Sequence, residues 1–458
     1  MTALAATVLV ILVLALTGFL FITRGTRLQS VRAVGERDHR LAVTDPLFVP
    51  TMELLTRTAM PAGSTVELLT NGDGTFPRLW SDLRAARRSI TVEMYYAQPG
   101  RVADTLAAIL RARAHTGVRV LFLYDAFGAQ NLTDGYLDSL HTAGISSAAF
   151  HPVHWYSLHR SQQRTHVRAV VIDGVIGYTG GFGIADKWLG DGRHLDEWRD
   201  TNVRIAGPAV MQLQAAFAAG WLDATGQLLV GPAFFPLPLL AGDSATAVHG
   251  EPARTRPRAE RASTQHEAAA AATVVPQLAG VLHTSPGVGS GAAERFLALS
   301  LAGASHTLYV TNSYFVPDDD FVALLIAAAR RGVDVRVLTA GEHTDIGVTR
   351  YAGRALYERL LRAGVRVYEY RPTMIHAKTL VVDGVWSSVG TMNFDTRSVA
   401  FNEESNLLVQ DARFGAAMDS LFLSDLRFST EITLGNFARR GWLERVKEWG
   451  AHRIARVL

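Results

Sequence analysis

The 458-residue chain is predicted to be an α/β protein of two similar halves. Each half reads as a mixed sheet flanked by helices, the two are related by a pseudo-twofold, and an N-terminal transmembrane helix precedes them. Three features carry this expectation. The segment "THVRAVVIDG", residues 165–174, returns as "IHAKTLVVDG", residues 375–384. Around both copies, apolar β-branched runs alternate with alanine- and leucine-rich stretches, the pattern of buried strands and amphipathic helices in α/β layers. Residues 2–22 contain no charged side chain.

Taken in order, residues 1–23 read as an uncleaved anchor. A helix over the uncharged stretch would run roughly 31 Å at about 1.5 Å per residue, enough to cross the hydrocarbon core. It lacks the basic n-region and small-residue cleavage site of a signal peptide. Arg24, Arg27, Arg32, Arg37 and Arg40 all follow the span and no Lys or Arg precedes it. The span is expected in the cell (inner) membrane, and the positive-inside rule puts the body of the chain on its cytoplasmic face. Residues 24–62 follow as a juxtamembrane segment.

The first half, residues 63–240, contains "RSITVEMYY", "HTGVRVLFLYD" and "TAGISSAAFHP" before its motif. The second, residues 276–458, contains "HTLYVTNSYF", "RRGVDVRVLTA" and "RAGVRVYEYRP" before its own, and ends in a helix. The motif histidines, 166 and 376, stand 210 residues apart, as do the aspartates 173 and 383. Such self-similarity marks a duplicated unit. "VADTLAAILRARAHTG" and "DDFVALLIAAARRG" read as helices that end at glycine. Residues 241–275, rich in Ala, Arg, Thr, Glu and Pro and without a clean period, read as a flexible linker.

Composition narrows the function. Hydrophobic residues make up 48% of the chain, ample for a large core. The absence of cysteine excludes disulfides, thiolate nucleophiles and Cys-based metal sites. A net charge of +3 provides no global basic field, which argues against nucleic acid as a partner.

The repeated motif carries the chemistry. Residues two apart on a strand share a face, so His376 projects beside Lys378 and His166 beside Arg168. The runs "AVVI" and "TLVV" that follow suit strands buried on both faces. An imidazole beside a cation fits an anionic reaction centre: the cation neutralises phosphate oxygens while the imidazole attacks or moves a proton. Each copy is followed by a glycine seven residues after its aspartate, Gly180 and Gly390.

With "HAKTLVVDGVWSSVGTMNFDTRS" and "NEESNLLV" in the second half, and "VVIDGVIGYTGGFGIADKWLG" and "EWRDTNVRIAGPAV" in the first, the chain resembles the phospholipase D superfamily, in particular the bacterial cardiolipin synthases. The resemblance covers roughly residues 63–235 and 280–440 and implies two phospholipase D-like halves. It implies that His166 attacks phosphorus and forms a covalent phosphohistidine, while His376 protonates the leaving group and deprotonates the incoming hydroxyl. Lys378 and Asn393 match the family's phosphate-binding pair. Glu404 would orient a histidine, with Asp200 its counterpart in the first half. Asp173 and Asp383 complete the candidate catalytic motifs, although their place suits anchoring of local structure better than contact with substrate. Neither cofactor nor metal is implied.

Two departures stand out. Arg168 replaces a lysine, and Gly183 occupies the position that matches Asn393. The guanidinium fork binds phosphate but is larger than an ammonium, and the missing side chain at Gly183 would make room for it. Residues 151–166, with His151, His154 and His159 among aromatics, read either as a headgroup entrance or as an ordinary covering loop, without metal-ligand spacing. Residues 441–458 read as a helix packed on the domain, or as a membrane-surface helix.

The expected activity is phosphatidyl transfer between phospholipids at a membrane, joining two phosphatidylglycerols into cardiolipin with release of glycerol. The alternatives are hydrolysis to phosphatidic acid by the same site, a nuclease of the same superfamily, and a lipid-binding scaffold whose first half has decayed.

Overall fold

The computed structural model describes residues 7–14, 31, 34, 40–152, 163–236, 276–286 and 291–454. Residues 7–14 form a helix with exposed apolar side chains. The rest of the expected span, the arginines from 24 to 37, the linker, and His154 and His159 lie outside the described residues. No helix among the described residues is long and apolar enough to cross a membrane.

The first half contributes strands β1 (Thr65–Thr70), β2 (Ser89–Met94), β3 (Arg119–Asp125), β4 (Ser146–Phe150), β5 (Arg168–Ile172), β6 (Ile176–Gly180) and β7 (Thr201–Ala206). They lie in the order β1-β7-β6-β5-β2-β3-β4. The second half contributes β8 (Leu278–Thr284), β9 (Thr307–Asn312), β10 (Asp334–Ala340), β11 (Arg366–Tyr370), β12 (Lys378–Val382), β13 (Trp386–Gly390), β14 (Glu404–Gln410) and β15 (Ser429–Ile432). Their order is β15-β11-β10-β9-β12-β13-β14-β8. Apart from the added edge strand β15, the second sheet repeats the first strand for strand. In each, three parallel strands adjoin an antiparallel ladder that begins at the motif strand, β5 or β12.

Every residue of β5 is buried, which accounts for its unbroken apolar run. Val170 and Ile172 face outward into a core covered by helices Asn71–Ala85 and Arg101–His115. Val167, Ala169 and Val171 face the other way and meet Val381, Val389, Leu407 and Val409 of the second half, along with helix residues Leu213 and Met418. One apolar layer therefore joins the halves. Gly180 and Gly390 follow from the close approach of the next strand: a Cβ there would come within 2.4 Å of Asn202 Oδ1 and of the Ser405 carbonyl, respectively.

The segment from residue 40 to 62, expected to be juxtamembrane, packs into the second half. Val43, Phe48 and Met52 are fully buried there, and the Phe48 ring meets Trp386 edge-on at 5.1 Å.

Asp173 and Asp383 need correction as catalytic candidates. Each lies at the far end of its motif strand from the histidine, with φ of 55° and 53°. The Asp173 carboxylate accepts backbone N–H bonds from Arg87, Arg88 and Ser89, and that of Asp383 from Ser305, His306 and Thr307. They tie the motif turn to the start of the neighbouring parallel strand. We therefore predict that Asp383→Ala lowers stability by about 1.5–3 kcal/mol, the range for hydrogen bonds to a charged group. A shift in the urea midpoint should report it, with turnover per folded molecule unchanged. Lost turnover at unchanged stability would return Asp383 to the reaction.

Candidate active site

The two motifs meet across the layer that joins the halves, and each is stitched to the other half. The His166 N–H donates to the Glu403 carbonyl at 2.8 Å, and the His376 N–H to the Arg199 carbonyl at 2.7 Å. Those carbonyls precede Glu404 and Asp200 in sequence, so each imidazole is brought to a carboxylate from the opposite half. His166 Nδ1 pairs with Glu404 Oε2 at 2.8 Å, and His376 Nδ1 pairs with Asp200 Oδ2 at 3.1 Å. The exchange obeys the pseudo-twofold.

The carboxylates are themselves held. Thr391 Oγ1 donates to Glu404 Oε2 at 2.6 Å, and Asn402 reaches Glu404 Oε1 at 3.4 Å. Trp188 Nε1 donates to Asp200 Oδ2 at 2.8 Å, and the Thr201 N–H donates to Oδ1 at 2.8 Å. Burial alone would raise both carboxyls, but the histidine partners hold them below their usual range. Burial and the adjacent cations push the imidazoles down as well. His166 falls to about 4, and His376 falls well below its ordinary value. Burial therefore favours the neutral form of both rings. With Nδ1–H donated to a carboxylate, each offers the lone pair of Nε2. The charge of Lys378 reaches His166, and that of Arg168 reaches His376, so the two motifs form one site.

The cations occupy matching posts with different neighbours. Lys378 Nζ donates to the His376 carbonyl at 2.6 Å and to Ser313 Oγ at 2.7 Å. Arg168 donates from Nη1 to the His166 carbonyl at 2.9 Å, the same anchor, and from Nη2 to His166 Nε2 at 3.1 Å. Register places Lys378 opposite Asn312 and Arg168 opposite Met94, so Tyr95 stands where Ser313 does in the other half. The Tyr95 ring lies 5.7 Å from the guanidinium and edge-on to His166 at 4.9 Å. A cation–π contact thus replaces a hydroxyl partner. Arg168 Nε and Asn393 Oδ1 are buried without a hydrogen-bond partner, two groups suited to an anion or its hydroxyls.

Gly183 does not make room for Arg168. A Cβ there would lie 2.8 Å from the Trp188 ring and 3.1 Å from the Tyr96 carbonyl, so the indole already fills the space. The same indole orients Asp200. Sequence reasoning missed this, along with the crossing of the carboxylates, the Ser313 and Tyr95 exchange, and Lys187. The Lys187 ammonium lies 3.6 Å from the centre of the Trp198 ring that packs on His376, and a signal for it did exist: it stands 21 residues after His166, as Arg397 does after His376.

Among the described residues one trio has metal-like spacing, Asp191, His194 and Glu197. Glu197 Oε2 already accepts the N–H groups of Asp191 and Gly192, which ties it into the turn before Arg199.

Comparison with known proteins identifies the family. A family model described as "Cardiolipin synthase, PLD-like domain" matches residues 297–426. The cardiolipin synthase of Geobacillus kaustophilus is 33% identical over 388 residues, which is 84% of this chain and 70% of that one. Cardiolipin synthase A of Pseudomonas putida is 30% identical over 413 residues, 89% of this chain and 77% of that one. The crystal structure of phosphatidylserine synthase from Haemophilus influenzae superposes with a TM-score of 0.62, covering 90% of this chain and 98% of that one at 15% identity, a likeness of fold. The chain belongs to the bacterial cardiolipin synthase-like members of the phospholipase D superfamily.

Proposed function

We propose that the chain transfers a phosphatidyl group from one phosphatidylglycerol to another, forming cardiolipin and releasing glycerol. The observation that carries this reading is the crossed pair of carboxylate-held imidazoles, both neutral and flanked by two buried cations. His166 Nε2 attacks the donor phosphorus once Arg168 turns its guanidinium from the imidazole to the phosphate. The N–P bond forms, the P–O bond to glycerol breaks, and the leaving oxygen takes the Nε2 proton that His376 acquires from solvent when the phosphodiester binds. The primary hydroxyl of the second phosphatidylglycerol then gives its proton to His376 and bonds to phosphorus. The N–P bond breaks and His166 is restored. One phosphodiester replaces another, so the exchange needs no nucleotide. The first half keeps its imidazole, carboxylate and cation, which favours activity over a decayed scaffold.

The test is to incubate the full chain in detergent micelles with phosphatidylglycerol and resolve the products. Cardiolipin plus glycerol is expected; phosphatidic acid alone would mean hydrolysis, and no product would mean a scaffold. With phosphate-labelled lipid and an acid-free quench, label should accumulate on His166 in His376→Ala, whose turnover should fall at least 10²–10⁴-fold. Label in His166→Ala instead would reverse the two roles.

The site also sets a pH dependence. Burial lowers the Lys378 ammonium to about 7. Its charge is present below that value and lost above it. We predict that kcat/KM, which reports the free enzyme, falls on the alkaline side with a midpoint near 7. The kcat limb should lie higher, because bound phosphate stabilises the ammonium. Lys378→Arg, which stays charged, should remove the limb; an unmoved limb would assign it to another group.

The membrane is the expected setting. Helix Trp442–Ile454 packs on helix Gly347–Arg362 through Ala451, with Glu448 paired to Arg354. It presents Trp442 (71% exposed), Val446 and Trp449 (63% exposed) to solvent, with Arg445, Lys447 and Arg453 on the same helix. Aromatic and basic side chains together suit an anionic lipid surface. Trp442→Ala with Trp449→Ala should weaken binding to phosphatidylglycerol vesicles by on the order of tenfold in co-sedimentation. Unchanged binding would confine the helix to packing.

A further inference from the structure

Lys187 has no place in the chemistry so far. Its ammonium lies 3.6 Å from the Trp198 ring centre, 3.8 Å from that of Tyr96 and 5.0 Å from that of Trp188. Two of these walls also touch the imidazole of His376: Trp198 at 4.9 Å and Trp188 at 5.5 Å. The cation is therefore one ring away from the group that handles the proton of the leaving and incoming alcohols. Among the described residues, no hydrogen bond or salt bridge engages its three N–H donors. The nearby carboxylate of Asp345 attracts it but accepts the Tyr314 hydroxyl with both oxygens. Burial lowers the ammonium to about 8, so it remains charged at neutral pH. An aromatic box steadies a cation but satisfies none of its N–H groups. An anion would complete it.

The acceptor supplies such an anion. A phosphatidylglycerol that attacks through its terminal hydroxyl carries its own phosphodiester one glycerol length away. With the hydroxyl at His376 Nε2, that second phosphate must find a cation beyond the two that hold the donor phosphate. We propose that Lys187, in its box of Tyr96, Trp188 and Trp198, binds the phosphodiester of the acceptor phospholipid. This rests on the transferase reading above and names the subsite that reading requires. The indole faces would pack against the acceptor's glycerol carbons while the ammonium takes the phosphate. Water, the competing acceptor, carries no phosphate and gains nothing from Lys187. The residue therefore sets the choice between transfer and hydrolysis at one shared phosphohistidine.

The experiment measures cardiolipin and phosphatidic acid together from phosphatidylglycerol in detergent micelles, using the full chain, Lys187→Met and Lys187→Arg. Because both products come from one intermediate, a general loss of folded enzyme cancels in their ratio. Lys187→Met should lower the ratio of cardiolipin to phosphatidic acid about ten- to hundredfold, the effect of losing one charge-assisted contact. It should also raise the phosphatidylglycerol concentration that half-saturates transfer. Lys187→Arg, which keeps the charge, should hold the ratio within about threefold of the parent. An unchanged ratio in Lys187→Met, or an equal loss in Lys187→Arg, overturns the subsite while leaving the transferase reading intact. A parent that makes no cardiolipin overturns the transferase reading, and the subsite with it.

Discussion

The site depends on one exchange: each half supplies a histidine, and the other half supplies the carboxylate that holds it. Neither half can form an oriented imidazole alone. His166 needs Glu404, and His376 needs Asp200, at 2.8 Å and 3.1 Å. The apolar layer of Val167, Ala169, Val171, Val381, Val389, Leu407 and Val409 is what fixes those distances. Packing between the sheets is thereby converted into imidazole orientation, and a shift at the layer would be felt at both rings at once. The backbone bonds from His166 to Glu403 and from His376 to Arg199 make the coupling direct, because the residue that places each carboxylate also pairs with the histidine it serves.

Within that symmetric frame the two halves have diverged in a coordinated way. Lys378 rests on Ser313, whereas Arg168 faces Tyr95 at the matching position. A larger planar cation has been joined by a larger planar partner, and both cations keep the carbonyl of their own motif histidine as anchor. The change at Gly183 belongs to a different set of contacts. There the lost side chain is matched by Trp188, whose ring fills the space and whose N–H orients Asp200. The asymmetry falls on the motif cations and the walls, while the imidazole–carboxylate pairs are retained in both halves.

Much of this was legible in the sequence. Continuous apolar β-branched runs placed the strands, alanine- and leucine-rich stretches placed the helices, and an offset of 210 residues revealed the duplication. The histidines and cations could be read because their chemistry lies within one short strand. Glu404 and Asp200 were legible as orienting groups only through resemblance, and which histidine each one orients was not. That assignment depends on how the sheets meet, and nothing local in the chain records it. The error at Gly183 has a related cause. A glycine reads as empty space when only its own position is considered, yet Trp188, five residues later, returns to fill it. The burial of residues 40–62 in the second half was hidden for the same reason, since its partners begin more than 200 residues further on.

Charge balance links the fold to the chemistry. The centre buries two carboxylates, Glu404 and Asp200, and two cations, Arg168 and Lys378. With both imidazoles neutral these four charges cancel, which makes their burial tolerable. Without an anion, a proton on His376 would be an unpaired positive charge, and burial and the neighbouring cations resist it. A phosphodiester carries one negative charge. Once it lies between Arg168 and Lys378, a proton on His376 restores neutrality instead of breaking it. In the proposed reaction the acid that releases glycerol would thus be favoured by the substrate that contains the glycerol. Burial favours neutral imidazoles, and on the proposed mechanism it is the arriving anion that would make one of them an acid.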